Sequence, residues 1–325
     1  MVDELAIRRL GKSGMQIREI GVGLWAAGGD QWGTTQDQDI LDAIDFALDA
    51  GVNFFDTSDV YGSGHSEELL GCAMRGRRDK FIVATKIGWI DFDGEKGQSA
   101  YTTIDKLVTG VESNLKRLQT DSIDLIQSHI DFREPTMEIF LEGFQKLQHA
   151  GKVRAYGVST SDLDYLKAFN GDGKCASLQI DYSILNRTAE VEIFPYCQAN
   201  DIGVVVRGAL VMGILAGKFT PETRFGKADF RSRWHKNPDE CQVFLDDLEK
   251  VEALRQLANG RSLAQLALQF VLANPAVSTV IPGMKNIAQA AANLHAGLLE
   301  PLTQKEYAII DGIVPQGGGR KIWPA

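Results

Sequence analysis

The feature that most constrains this chain is an alternation: short runs rich in β-branched and apolar residues take turns with segments of helical periodicity along almost its whole length. Strands are expected at Glu19 to Leu24, Asn53 to Asp56, Phe81 to Lys86, Ile123 to His129, Ala155 to Ser159, Leu178 to Asp181, Val204 to Arg207 and Thr279 to Pro282. Between them lie amphipathic stretches. Asp39 to Ala50 carries Ile40, Ala43, Ile44 and Ala47 on one stripe, and Ile104 to Leu118 carries Leu107, Val111, Leu115 and Leu118. Phe81-Ile82-Val83-Ala84 and Val204-Val205-Val206 are apolar on both faces, as parallel strands covered by helices must be. Such a series of strand–helix units fits an α/β fold closed as a (β/α)8 TIM barrel better than an open sheet, so residues 1–325 are expected to form one barrel domain. Ahead of the first strand, Ile7 to Leu10 and Gln16 to Ile20 flank Gly11-Lys12-Ser13-Gly14 and read as a β-hairpin plugging one end. The stretch between the last two strands is long. It holds a charged segment from Lys218 to Glu240 and an extra helix around Leu245 to Ala258, so it suits an active-site cover.

Charge narrows the partners. With 34 Lys plus Arg against 43 Asp plus Glu, the net charge is −9, and no basic cluster is longer than Arg75 to Lys80. Nucleic acid is therefore not an expected partner. The opening residues lack a basic region followed by an apolar run, and the longest apolar stretch, Leu263 to Ala273, is interrupted by Gln265 and Gln269. No signal peptide or membrane span is expected, which points to a cytoplasmic protein, monomeric or weakly oligomeric. Cys72, Cys175, Cys197 and Cys241 lie far apart, with neither CxxC nor Cys/His ligand spacing. They are expected to be reduced, mostly buried thiols, and no metal site is expected.

In a parallel barrel the chemistry sits where strands end and the following loops begin. The expected strands from the second to the seventh all end in polar or ionisable groups: Asp56, Lys86, His129, Ser159, Gln179 with Asp181, and Arg207. Neighbouring strands lie about 4.8 Å apart, which brings Asp56, Lys86 and His129 within reach of one small ligand. Asp56 and Lys86 are a natural ion pair, since charges among apolar strands are costly unless paired. Tyr61 follows Asp56 on the Gly-flanked loop Tyr61-Gly62-Ser63-Gly64. A cationic lysine beside it is expected to favour the phenolate and bring the phenol toward neutrality, making it a proton donor or acceptor. His129 can hydrogen-bond a substrate oxygen. There is no GxSxG and no cysteine at a strand end, so the group suits proton transfer to an oxygen, with the rest of the reaction supplied by something bound nearby. The loops Arg207-Gly208-Ala209-Leu210 and Ile281-Pro282-Gly283-Met284-Lys285-Asn286 suit a phosphorylated ligand, or are simply turns.

These residues resemble the aldo-keto reductase superfamily. The resemblance runs from the hairpin to the helix after the eighth strand and rests on Asp56-Thr57-Ser58-Asp59-Val60-Tyr61-Gly62 with Ser66-Glu67, Ala84-Thr85-Lys86, Asp124-Leu125-Ile126-Gln127-Ser128-His129, Gly151-Lys152-Val153-Arg154 with Gly157-Val158-Ser159, and Ile281-Pro282-Gly283. It implies a barrel that reduces aldehydes and ketones with NADPH (NADP+ in the reverse direction). It further implies Tyr61 as general acid, Lys86 paired with Asp56 as the group that tunes it, and His129 as the group that orients the carbonyl. Ser159 and Gln179 match the residues that hold the nicotinamide carboxamide, with Thr160 where the family usually has Asn. Arg207 stands where an aromatic ring commonly stacks on the nicotinamide; a guanidinium can lie flat on such a ring. Gly208 and Leu210 match the pyrophosphate loop. Gly283, Lys285, Gln289 and Asn293 match the last cofactor segment, with Lys285 placed to neutralise a 2′-phosphate and Gln289 where many members have Arg.

The substrate pocket is expected to be built from Trp25, Trp32 and Trp89, from Phe225, Phe230 and Trp234 of the long segment, and from the tail at Ile322-Trp323. Such rings suit small hydrophobic carbonyls. Two other readings compete: a barrel lyase that uses Lys86 as a Schiff-base lysine, and a cofactor-binding regulatory subunit.

Overall fold

The computed structural model describes residues 4–29, 31–33, 35–90, 99–132 and 136–321. An antiparallel hairpin, β1 (Ile7–Arg9) and β2 (Gln16–Arg18), comes first, with Ile7 opposite Arg18. It is followed by β3 (Val22–Gly23), β4 (Phe54–Asp56), β5 (Ile82–Ile87), β6 (Ile123–Ser128), β7 (Val153–Ser159), β8 (Ser177–Asp181), β9 (Gly203–Arg207) and β10 (Val277–Val280). These form an 8-stranded parallel sheet in chain order. Parallel bridges from Ile20 to Val280 and from Gly23 to Gly283 join its two edges, so the sheet closes into a barrel. The expected strands are therefore present, the first cut back from 19–24 to Val22–Gly23, the last shifted two residues toward the N-terminus, and the others within two residues of the expected ends.

The interior of the barrel explains where the polar residues go. Phe54, Ala84, Leu125, Ala155, Val205 and Ile281 pack together with Leu10, Met15 and Ile17 of the hairpin, so the hairpin seals the N-terminal end. Its tip is held there by the Lys12 N–H donating to the Asp201 carbonyl at 2.8 Å. Side chains alternate faces along a strand, so two residues farther on the chain points inward again. That step leads from Phe54 to Asp56, from Ala84 to Lys86, from Leu125 to Gln127 and from Val205 to Arg207. An apolar layer is thus capped by a polar one at the C-terminal end of the barrel.

The helices between strands are α1 (Asp37–Asp49), α2 (His65–Met74), α3 (Ile104–Leu118), α4 (Thr136–His149), α5 (Leu163–Phe169), α6 (Ile193–Ala199), α7 (Pro238–Leu254), α8 (Leu263–Leu272), α9 (Ile287–His295) and α10 (Gln304–Ile313). In α3 the predicted stripe Leu107, Val111, Leu115 and Leu118 is buried, Thr103 caps the start by accepting the Lys106 N–H, and Gln119 in the left-handed region ends it. α7 starts at Pro238 and not near Leu245, because Asn237 accepts the N–H groups of Asp239 and Glu240 and a proline follows at the first helical position. The segment before it is tied to the first loop: the Phe230 N–H donates to the Gln31 carbonyl at 3.1 Å and Asp229 bridges to Trp32. No helix among the described residues is long and apolar enough to cross a membrane. The four cysteines are free thiols; Cys175 and Cys197 are buried, but Cys72 is exposed and Cys241 half-buried, so burial holds for two of them.

Candidate active site

Lys86 is 1% exposed, and its ammonium has three protons to place. Nζ donates to Asp56 Oδ1 at 2.5 Å, to the Thr57 carbonyl at 2.9 Å and to Tyr61 Oη at 3.2 Å. Every proton has an acceptor. The other carboxylate oxygen of Asp56, Oδ2, accepts from Gln179 Nε2 at 2.8 Å and Gln127 Nε2 at 3.3 Å. The expected ion pair is thus made inside a fully hydrogen-bonded polar layer, the condition under which buried charge is tolerable. Burial alone would lower the Lys86 pKa, but Asp56 and Tyr61 outweigh it and hold the lysine above its ordinary value.

Tyr61 is placed by two glycines. Gly62 has φ of +60°, and a Cβ there would lie 2.2 Å from the Gly28 carbonyl oxygen, while a Cβ on Gly28 would lie 2.5 Å from the Gly62 nitrogen. The two loops touch backbone to backbone, which only glycine permits. Tyr61 consequently stacks on Trp25, ring centroids 5.9 Å apart. The expected downward shift of its phenol is not found: burial raises the pKa, Lys86 pulls it down by less, and the net direction is upward. Sequence alone sees the cation beside the tyrosine but not the burial that outweighs it. Tyr61 is a neutral phenol at pH 7. Because its oxygen accepts from Lys86, its own proton is left for another acceptor.

His129 follows β6 directly, and its ring lies edge-on to Tyr61 with centroids 5.7 Å apart. Burial, then Lys86 and Arg207, push it well below its ordinary pKa, so it is neutral. Its Nδ1 is held by Ser58 Oγ at 2.9 Å, and that hydroxyl is also 3.0 Å from Asp59 Oδ1. Sequence reasoning assigned no role to Ser58 or Asp59; the signal was the unbroken polar run Thr57-Ser58-Asp59 between two residues it did single out. Gln127, one strand face below His129, was likewise missed.

The residues expected to hold a cofactor gather at the ends of β7 to β10. Ser159 pairs with Gln179 across β7 and β8, and its hydroxyl makes no hydrogen bond to the described residues. Gln179 spends Nε2 on Asp56 and keeps Oε1. An unspent hydroxyl and an unspent amide oxygen at one strand end match what a carboxamide needs. Thr160 uses its hydroxyl locally, accepting the Asp162 N–H at 3.0 Å. Arg207 lies opposite Asp181 in the β8–β9 register, and burial lowers its pKa while Asp181 pulls it back. Gly208 turns the chain at φ of +71°, and Leu210 follows, its carbonyl accepting the N–H groups of Gly213 and Leu215. At the start of α9, Gln289 Oε1 accepts the Lys285 N–H at 2.9 Å and Asn293 Nδ2 donates to the Gly283 carbonyl at 3.2 Å. Lys285 Nζ donates one of its three protons to the Trp32 carbonyl, 253 positions away in sequence, which leaves two for a phosphate. Burial, with Arg231 near it, lowers its pKa.

The aromatic residues divide. Trp25 packs on Tyr61 and Trp89 lies edge-on to His129 at 5.0 Å, so these two reach the proton-transfer groups, while Phe230 backs Trp25 at 5.5 Å. Trp32 stands edge-on to Trp25 at 5.0 Å and carries the Arg231 guanidinium at 5.1 Å. Phe225 and Trp234 pack against each other and against Phe219 and Phe244. Trp234 is buried, stacked on Phe244 and edge-on to Phe225, and that pair holds the long segment onto α7. Ile322 and Trp323 lie outside the described residues. Among the described residues no cluster of three or more His, Cys, Asp or Glu could hold a metal.

A neutral phenol held by a saturated ammonium, with a neutral imidazole and tryptophan rings beside it, can deliver a proton to an oxygen at this end of the barrel. Comparison with known proteins points to one family. The family model described as "Aldo/keto reductase family" matches residues 19–315. The aldo-keto reductase YhdN of Bacillus subtilis is 33% identical over 284 residues, covering 86% of this chain and 85% of that protein. A solved aldo-keto reductase of Bacillus halodurans in its holo form superposes with a TM-score of 0.78 at 31% identity, covering 95% of this chain and 96% of the other. An aldo/keto reductase of Klebsiella pneumoniae in complex with NADP and acetate superposes with a TM-score of 0.73 at 25% identity, over 97% of each chain.

Proposed function

The chain belongs to the aldo/keto reductase family and is an oxidoreductase, and on that premise we propose that it reduces small hydrophobic aldehydes and ketones to alcohols with NADPH, Tyr61 donating the proton. The observation that carries the reading is the saturated lysine. All three Lys86 protons are bound, one of them to Tyr61 Oη, so the phenol proton is the mobile one at this end of the barrel. Bound NADPH would supply the hydride to the carbonyl carbon. Ser159 and Gln179 would hold its carboxamide, Gly208 and Leu210 would let the backbone approach its pyrophosphate, and Lys285 with Gln289 and Asn293 would meet the adenosine end.

The protein's own part follows from the geometry. As negative charge builds on the carbonyl oxygen, Tyr61 gives up its proton, and the phenolate that forms is stabilised by the Lys86 ammonium 3.2 Å away. The contact grows stronger as charge develops, so it lowers the barrier more than it stabilises the resting state. His129 orients the same oxygen from the other side, and Trp25, Trp89 and Phe230 exclude water. The same saturation argues against the lyase: a Schiff-base lysine must be a neutral amine, and Lys86 is an ammonium with its pKa raised.

The test is a fluorescence titration with NADPH and NADH, followed by addition of small aldehydes while nicotinamide absorbance is recorded. Loss of NADPH on adding aldehyde is expected. Folded protein that binds no nicotinamide cofactor overturns the proposal, and tight binding without turnover on any reactive aldehyde favours the regulatory-subunit reading.

A further inference from the structure

Between Asp56 and Tyr61 lies a chain of polar atoms that the reductase chemistry above does not use. Asp59 and Ser58 are both 0% exposed. Asp59 Oδ1 is 3.0 Å from Ser58 Oγ, which is 2.9 Å from His129 Nδ1, and Asp59 Oδ2 is buried with no hydrogen-bond partner. We propose that Asp59 is a positioning residue that acts through Ser58: the presence or absence of a proton on Asp59 decides which ring nitrogen of His129 carries the imidazole proton, and only the form with Asp59 protonated lets His129 donate to the carbonyl oxygen.

The logic is a count of protons. Ser58 has one hydroxyl proton and two partners. With Asp59 ionised, the hydroxyl must donate to the carboxylate, so it can only accept from His129, which requires the proton on Nδ1. The neutral ring then presents a bare Nε2 lone pair to the site. With Asp59 protonated, the carboxyl donates to Ser58, Ser58 donates to Nδ1, and the ring proton sits on Nε2 as a donor. Losing the Asp59 proton to solvent leaves the imidazole neutral and exchanges its proton from Nε2 to Nδ1. A doubly protonated ring is no escape, since burial, Lys86 and Arg207 all oppose it.

The surroundings explain why Asp59 is the group that keeps a proton. Two buried carboxyls face each other, Asp59 and Glu67. Glu67 has the ion pair, with Arg117 Nε at 2.7 Å, and accepts the Thr85 hydroxyl at 2.5 Å. Asp59 has the Ser58 hydroxyl, the nearby Gly88 N–H and the more distant Arg117 guanidinium, set against its burial and the Glu67 charge. An unpaired carboxylate in such a place is costly, and protonation removes the cost. Burial first, then Glu67, push Asp59 up to about 7, where the proton can be gained or lost under ordinary conditions.

The inference rests on the reductase reading, because it needs a carbonyl oxygen for His129 to meet. The experiment pairs two readouts on the intact protein with Asp59→Asn and Ser58→Ala. In the first, kcat/KM for NADPH-dependent reduction of a small aldehyde is followed from pH 5.5 to 9, a range of roughly 1.5 to 2 units either side of neutrality. The wild type is expected to fall about tenfold or more as pH rises through neutrality, the loss of one hydrogen-bond donor to the reacting oxygen. Both variants are expected to lack that limb, since one cannot titrate and the other cuts the link. In the second, the 15N shifts of His129 should pass from the Nε2–H to the Nδ1–H pattern over the same range in the wild type and stay fixed in both variants. A limb that survives in both variants, or His129 shifts that do not move in the wild type, overturns the proposal. If no aldehyde is reduced at any pH, the reductase reading fails while the nitrogen shifts still decide the relay. If one variant does not fold, the other carries the test.

Discussion

Replacing Lys86 with Met asks how much the polar layer depends on its one ammonium. Met keeps most of the apolar stem, so no large cavity opens; what disappears is the charge and its three donated hydrogen bonds. Asp56, 2% exposed, keeps the two glutamine amides on Oδ2 but loses, among the described residues, its donor on Oδ1. Stranding a buried carboxylate by removing its partner costs about 3–5 kcal/mol. With a urea m-value of about 3 kcal/mol/M, the unfolding midpoint should fall by roughly 1–2 M. Asp56→Asn combined with Lys86→Met removes both charges and should recover at least half of the loss. The penalty has a pH sign: it is a penalty on the folded carboxylate, so it is full at neutral pH and shrinks in acid, where the stranded group can take up a proton. Urea midpoints at pH 7 and pH 5 for the three proteins provide the assay. A single variant as stable as the wild type, or a double variant less stable than the single one, would falsify the view that this lysine is held mainly by charge.

Tyr61→Phe removes one of the three acceptors of Lys86 and little volume, so the fold and cofactor affinity should persist while kcat falls about 10²–10⁴-fold; stopped-flow turnover equal to the wild type refutes the proton-donor assignment. Lys285→Ala should weaken NADPH binding about 10- to 100-fold, the worth of a charge-assisted hydrogen bond, and leave NADH nearly unaffected. Equal loss for both cofactors in a fluorescence titration means the lysine serves the Trp32 carbonyl and not a 2′-phosphate. Gly62→Ala puts a methyl against the Gly28 carbonyl in a left-handed turn. It should lose at least 1–2 kcal/mol of stability and move Tyr61 away from Lys86, read together as a lower melting temperature and a lower kcat.

What the sequence carried well was whatever depends on neighbours along the chain. The two-sided apolar runs became barrel strands because parallel strands under helices need them, and the stripe of α3 became its buried face with Thr103 as cap. The start of α7 is also legible in Asn237-Pro238-Asp239-Glu240, where the asparagine cap sets the first turn seven residues ahead of Leu245. The pairing of Asp56 with Lys86 was readable from strand ends alone. Contacts that span the chain were not: Ser58 with His129 is separated by 71 positions and Lys285 with the Trp32 carbonyl by 253. The direction of the Tyr61 shift was hidden for the same reason. That Lys86 stands on the strand next to Asp56 is a matter of register, but burial is set by Trp25 and the loops above, which only the folded chain assembles.

The electrostatics of the site also says which groups can move protons. Among the described residues the charged side chains at the C-terminal ends of the barrel strands include two pairs, Asp56 with Lys86 and Asp181 with Arg207. Each cation has an anion beside it, so neither gains by exchanging a proton with its neighbour. Tyr61, half-buried, and His129, buried, each interact with members of both pairs, and both are neutral, pushed by desolvation away from their charged forms. A neutral acid next to a saturated ammonium is stable while the site is at rest and becomes a donor only when a stronger base appears within reach. The oxygen of a carbonyl accepting hydride is such a base, and water at pH 7 is not. On the proposed reading burial and the lysine therefore do not work against each other: burial keeps the proton on Tyr61 until a reacting oxygen is present, and Lys86 would stabilise the phenolate as it forms.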